Sequence, residues 1–303
     1  MTAQPAAAPA AEDHRAIRLG ILLMLISMLL FSLNDAMGKY LVATYSVGQV
    51  LLIRSAAALL ILAPLLWRAG LRPLLKIERP GMQTLRVLLS AAEVYGFYFA
   101  VGYLPLADVM TYWLAAPIYV AALSPLLLGE KVGWRRWTAI FLGFVGVVIA
   151  LDPSAATLTP PAIISILGSF AFAFLLLSSR ALRATPDLTL VFWQTLGAAF
   201  VGLATAPFGW ATPSGGDFLL LGMLGVVAML AHMGMNRSMK LADAATVAPF
   251  QYTMLLWAVV FGWAFFGDVP RPAILVGGAI IVAAGLFIFF RERKVKAPVI
   301  AEH

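Results

Sequence analysis

A chain of 303 residues that is 62% hydrophobic and only 12% charged lies far outside the composition of a water-soluble domain. The absence of cysteine removes disulfides, thiol catalysis and cysteine-based metal sites, and His14, His232 and His303 are too scattered to gather a metal. A net charge of +7 and a pI near 9.9 would suit a nucleic-acid partner only if the basic residues formed a patch, and they are instead dispersed in loops.

In chain order, residues 1–16, rich in Ala and Pro, read as a disordered tail. A cleaved signal peptide is not expected, because the first apolar run is a full span followed by further spans. The apolar segments are 18–38, 47–67, 82–103, 105–128, 134–151, 161–180, 187–207, 217–238, 243–266 and 271–290. Segments of about 20 residues are long enough to cross ~30 Å of hydrocarbon as helices. The gaps between them are too short for a soluble domain, and residues 292–303 form a polar tail.

The basic residues of the gaps alternate. Arg15 and Arg18 precede the first segment, and Arg68, Arg72, Lys76 and Arg79 follow the second. Lys131, Arg135 and Arg136 follow the fourth, Arg180 and Arg183 the sixth, and Arg237 and Lys240 the eighth. Arg291, Arg293, Lys294 and Lys296 follow the tenth, whereas the intervening gaps hold only Lys39 and Arg271. Positive charge marks cytoplasmic loops, so both termini are expected in the cytoplasm.

A repeat is also legible. Leu106-Ala107-Asp108-x-x-Thr111 opens the fourth segment and Leu241-Ala242-Asp243-x-x-Thr246 the ninth; each ends in a Gly-acid pair, Gly129-Glu130 and Gly267-Asp268. Phe31, Lys39 and Leu41 recur at the same spacing as Phe172, Arg180 and Leu182. The expected fold is therefore an all-α integral membrane protein of ten transmembrane helices, built as two five-helix repeats over 17–152 and 153–291. Five is odd, so the second repeat is inverted, as in many secondary transporters. Gly143 and Gly146, with Gly277, Gly278 and Gly285, mark the fifth and tenth helices as close-packing partners.

Several motifs carry a further likeness: Asp35-x-x-x-Lys39-Tyr40-Leu41, Arg54, Tyr103-Leu104-Pro105-Leu106-Ala107-Asp108, Pro117 and Gly129-Glu130-Lys131-Val132. With them the chain resembles the EamA-type drug/metabolite transporters over about residues 18–290. The resemblance implies a ten-helix secondary carrier for a small organic solute, and the Asp-Ala-x-x-Lys ending of the first helix is most similar to a proteobacterial group that includes S-adenosylmethionine and riboflavin uptake carriers. Leu255 stands where the second-half counterpart of Pro117 is expected, so the two halves are not expected to gate alike.

An ionisable group inside a span is a candidate for function, because inserting it costs roughly 2.5–3.5 kcal/mol. Asp35 and Arg54 lie at similar depth and could form a salt bridge or an anchor for a substrate carboxylate. Glu93 lies near mid-depth and is the candidate for proton coupling, with Arg86 two turns away on the same face. Asp108 reads better as a helix cap than as a ligand. The second half lacks these charges and offers Gln194, His232, Asn236 and Gln251, with His232 read chiefly as a packing residue. Tyr103 and Trp134 suit the interfacial belt, whereas Tyr95, Tyr98, Tyr119 and Trp193 lie too deep for it and call for polar partners. With Tyr252 they complete a set of substrate-binding candidates suited to an amphipathic or amino-acid-like solute.

The leading function is thus a secondary carrier in a bacterial inner membrane, complete as a monomer and needing no cofactor, metal or nucleic acid. A lipid-modifying membrane enzyme would need a clustered acid/base or metal constellation at one interface. A channel would need rings of charge or filter-like loops, and a nucleotide-driven pump a phosphate-binding glycine loop. None of these is visible in the sequence.

Overall fold

The computed structural model describes residues 9–70, 74, 77, 79–116, 118–120, 122–123, 133–152, 159–182, 184–241 and 248–296. Among them every regular element is helical: α1 (Pro9–Val42), α2 (Val47–Ala69), α3 (Pro80–Val101), α4 (Leu106–Trp113) and α5 (Trp134–Leu151). There follow α6 (Pro160–Ala181), α7 (Asp187–Thr205), α8 (Gly215–Leu241), a 3₁₀ turn (Ala248–Tyr252), α9 (Thr253–Phe266) and α10 (Pro272–Lys296). Stretches long and apolar enough to cross a membrane lie in α1, α2, α3, α7 and α8, and shorter apolar stretches in the others.

Local chemistry sets the boundaries. Proline, whose missing N–H is harmless in a first turn, opens α3, α6 and α10. Ser46 caps α2 by accepting a hydrogen bond from the Gln49 amide at 3.3 Å. The expected helix 105–128 is interrupted: α4 stops at Trp113, and Leu114 and Ala115 form a turn. A proline at 117 can supply no amide proton to the carbonyl of Trp113, which accounts for the break. In the second half Leu255 is helical, and a 3₁₀ turn containing Pro249 leads directly into α9. The motifs Gly129-Glu130-Lys131-Val132 and Ala242-Asp243, the side chain of Asn236 and residues 1–8 and 297–303 lie outside the described residues or side chains. Of the expected tails, 9–16 is the start of α1 and 292–296 the end of α10, both helical.

The bundle is apolar outside and polar within. Trp67, Phe208 and Leu60 are 87%, 80% and 75% exposed, while Ser27, Asn34, Asp35, Gln49 and Arg86 are buried. Lipid suits such an exterior and water does not. The main helix pairs are α1 with α8, α5 with α10, α2 with α7 and α3 with α6. Lesser contacts join α2 to α8, α3 to α7, α1 to α9 and α4 to α6. Small residues permit the closest approaches: a Cβ on Gly146 would stand 3.0 Å from the Gly277 carbonyl oxygen, and one on Gly225 would collide with the Arg54 carbonyl.

One end of the bundle is tied by polar contacts. Tyr45 donates to Asp217 at 2.7 Å, and Gln49 exchanges two hydrogen bonds with the backbone of Ala211. Lys39 is ion-paired with Asp268, and Arg271 with Asp108 at 2.8 Å. The segments after α1 and α3 therefore meet those after α7 and α9.

Candidate functional site

A cavity of about 60 Å³ lies between α2, α3, α7 and α8. Arg54 and Ser55 reach it from α2, Ser90 and Glu93 from α3, Gln194 and Thr195 from α7, and Gly225 and His232 from α8. That volume admits a few waters but no metabolite, whose sites measure ~300 Å³ or more. A solute could enter this cavity only if these helices separated.

Arg54 anchors one side. Its Nη1 donates to the Tyr98 hydroxyl, and its guanidinium carbon lies 5.2 Å from the Tyr98 ring centroid. The Tyr98 hydroxyl donates in turn to Asn34 Oδ1 at 3.0 Å, and Asn34 Nδ2 donates to the Leu224 carbonyl at 3.0 Å. This relay links α2, α3, α1 and α8 and fixes the guanidinium beside the cavity. Asp35 is buried where the charges of Glu93 and Arg54 both act on it. No ion pair joins it to Arg54, so of the two readings of that pair the salt bridge between α1 and α2 is not formed, and Arg54 bonds instead to Tyr98. Glu93 accepts from the Trp113 indole N–H at 2.8 Å.

On the opposite side a second relay has a defined polarity. His232 Nδ1 lies 2.8 Å from the Ala228 carbonyl oxygen, which can only accept. Nδ1 therefore carries the proton, and Nε2 accepts from Gln194 Nε2 at 3.3 Å. Gln194 Oε1 then accepts from Arg86 Nη1 at 3.3 Å. His232, expected mainly to pack, thus lines the cavity as well as meeting Phe31 edge-on, with ring centroids 4.7 Å apart.

Of the residues singled out in the sequence, Arg54, Glu93, Gln194 and His232 line the cavity; Tyr98 adjoins it through its bond to Arg54, and Asp35 is buried outside the lining. Tyr95 packs, half-buried, on the main core. Trp193 turns elsewhere and donates to the Leu74 carbonyl at 3.0 Å. Tyr119 packs in a separate cluster against Phe144 and Phe170. Gln251 and Tyr252 lie in the 3₁₀ turn, with Tyr252 pressed against Gly285 of α10. Asp108 does not cap α4; it sits in the first turn and accepts from Arg271 Nε and Nη2 at 3.2 and 2.8 Å. Sequence reasoning missed Asn34, Ser90 and the bond from Trp113. It also missed the ion pairs, although Lys39 and Arg271, the two cations on the sparsely charged side, were a signal that each needed an acid.

The model of the EamA-like transporter family matches the chain twice, over residues 18–151 and 159–290. The chain belongs to the EamA-like transporter family. It is a multi-pass membrane protein of that family, and its relatives are named as transporters of small metabolites. It is 28% identical over 276 residues to an S-adenosylmethionine uptake transporter of Rickettsia felis, covering 91% of this chain and 94% of that one. A riboflavin transporter of Vibrio cholerae is 30% identical over 281 residues, with 91% and 94% covered. A pseudopaline exporter of Pseudomonas aeruginosa is 25% identical over 280 residues, with 88% and 95% covered. A crystal structure with a TM-score of 0.59 and 17% identity, covering 94% of this chain and 99% of its own, shares the fold.

Proposed function

We propose that the protein is a secondary active carrier that moves a small organic solute across a bacterial inner membrane by alternating access. Ten transmembrane helices form two inverted repeats, over 17–152 and 153–291, with both termini cytoplasmic. The observation that carries this reading is the pairing of the cavity lining. Arg54, Ser55 and Ala58 match Gln194, Thr195 and Ala198 at a separation of 140 positions. Ser90, Glu93 and Val94 match Gly225, Ala228 and Met229 at a separation of 135. Twelve of the fourteen lining residues thus fall into six pairs, so the cavity straddles the axis relating two repeats.

The helix contacts support the same relation. Exchanging each helix for the one five places on turns α1 with α8 into α6 with α3, and α1 with α9 into α6 with α4, both observed. Segments after the first and third helices of one half meet those after the second and fourth of the other, as inversion requires. The bonded end carries Lys39 and Arg271, the sparsely charged side, and is the outer end. The two ion pairs there hold it shut in this conformation.

The cavity supplies both signs of charge, Arg54 for a solute carboxylate and Glu93 for a cationic group; Asp35, buried outside the present lining, joins Glu93 when the helices separate, and Glu93 also couples transport to protons. An amino-acid-like or other amphipathic solute satisfies this chemistry, and a cofactor-type metabolite such as S-adenosylmethionine or riboflavin is the alternative. S-adenosylmethionine, which carries both a carboxylate and positive charge, agrees with the name of one relative. A lipid-modifying enzyme is disfavoured by relatives that are named transporters. The test is saturable accumulation of labelled amino acids, S-adenosylmethionine and riboflavin in proteoliposomes, with and without a pH gradient. Accumulation of none of them by monodisperse protein would overturn these solute assignments. Accumulation driven equally without a pH gradient would remove the proton-coupled reading.

A further inference from the structure

The mechanism above leaves one buried cation unused. Arg86 is 5% exposed, two turns before Glu93 on α3, and its only hydrogen bond among the described residues is the long one to the neutral amide of Gln194. Among the described residues its Nε has no partner and no acid forms an ion pair with it. One turn earlier on the same face, Gln83 is 4% exposed, and both its amide oxygen and its amide nitrogen lack a partner. A guanidinium with one long hydrogen bond and an amide with none, both taken out of water, are costly to keep. Together they present several N–H donors, the complement of a carboxylate.

We propose that Arg86 and Gln83, with Gln194 beside them, form a second anion-binding station that takes the carboxylate of the transported solute on the cytoplasmic side of the cavity. This deepens the carrier reading and rests on it for orientation. Gln83, Arg86, Ser90 and Glu93 recur at helical spacing and form one polar stripe along α3, ending at the cavity. Along the axis of α3 the backbone of Arg86 lies about 10 Å from that of Glu93 and about 18 Å from that of Tyr98, whose hydroxyl accepts from Arg54. Arg54 lines the cavity directly, and Arg86 reaches the same wall through Gln194. The anion held by Arg86 passes to Arg54 as access changes sides. The second half has Phe218 and Leu221 at the positions matching Gln83 and Arg86, so the station belongs to the first half alone.

The competing role is structural, a hydrogen bond holding α3 to α7. Thermal unfolding in detergent, with chloride replaced by acetate at constant ionic strength, separates the two. Acetate should raise the apparent Tm of the wild type in a saturable way. Arg86→Met should weaken the apparent acetate affinity about tenfold or more, with a Tm in chloride no lower than the wild type. Arg86→Lys, which keeps the charge, should retain most of the affinity and serves if the methionine variant does not fold. An unchanged acetate titration in Arg86→Met overturns the station. Equal loss in both variants, with a lowered Tm in chloride, also overturns it and assigns the structural bond. No gradient or solute enters this measurement, so acetate binding without transport refutes the carrier and leaves the station standing, while transport without acetate binding does the reverse.

Discussion

Lys39 at the end of α1 is ion-paired with Asp268 beyond α9, and the Phe266 ring lies 4.7 Å from its ammonium. Asp268 also accepts from the first amide of α4, that of Leu106, at 3.4 Å. One carboxylate thus gathers three helices from both halves of the chain.

Breaking this pair should open the outer end. The chain lacks cysteine, so Thr195→Cys gives a single reporter on the cavity wall. In right-side-out vesicles, Lys39→Met should raise its labelling rate by an impermeant maleimide about tenfold, as expected for losing a coupling of about 0.5–3 kcal/mol. The charge exchange of Lys39→Asp with Asp268→Lys should restore the slow rate. Equal rates in all three proteins would show that the pair does not close the cavity.

Tyr98→Phe should keep the ring beside Arg54 but remove the hydroxyl that accepts from Arg54 and donates to Asn34. The loss should be about 1–3 kcal/mol in solute affinity, apparent as a raised KM, because the guanidinium is left short of an acceptor. Combination with Asn34→Ala should add little, since the two substitutions break one relay. Full additivity would mean that the two residues act independently.

Gly225→Ala should destabilise the protein by about 1–3 kcal/mol, because its methyl would collide with the Arg54 carbonyl and push α8 from α2. Gly222→Ala is the control: three residues earlier on α8, its methyl would lie 3.9 Å from that of Ala57, an ordinary contact. Thermal unfolding of the two variants should differ by several degrees, and matching midpoints would contradict the close approach.

Glu93→Gln retains an acceptor for the Trp113 indole but removes the exchangeable charge. Uptake should lose its dependence on the pH gradient while the unfolding midpoint stays near that of the wild type. A variant whose uptake still follows the gradient would assign coupling to another group.

The helical, membrane-embedded character was legible because lipid demands long apolar runs and short polar gaps. Arg54 and Glu93 stood out because charge within a span is expensive, and both reach the cavity. Depth alone could not tell which way a ring turns, so Trp193 was grouped with Tyr98 although it bonds the Leu74 carbonyl. Asp108 looked like a cap because capping is read locally, whereas its partner Arg271 lies 163 positions away. Nor could the position of Pro117 reveal the 3₁₀ turn around Pro249 in the second half, since any proline removes a backbone donor wherever it stands. The small polar residues Asn34 and Ser90 gave no signal, because such side chains are equally at home in ordinary helix packing.

The seam between α5 and α10, where Gly146 meets the backbone of Gly277, contributes nothing to the cavity wall. Clamp and proposed cargo site therefore sit on different helices and can evolve under separate constraints. A lineage can exchange side chains on α2, α3, α7 and α8 to suit a new solute while the glycine clasp stays untouched. That division of labour suits a scaffold whose relatives bear the names of chemically unlike cargoes.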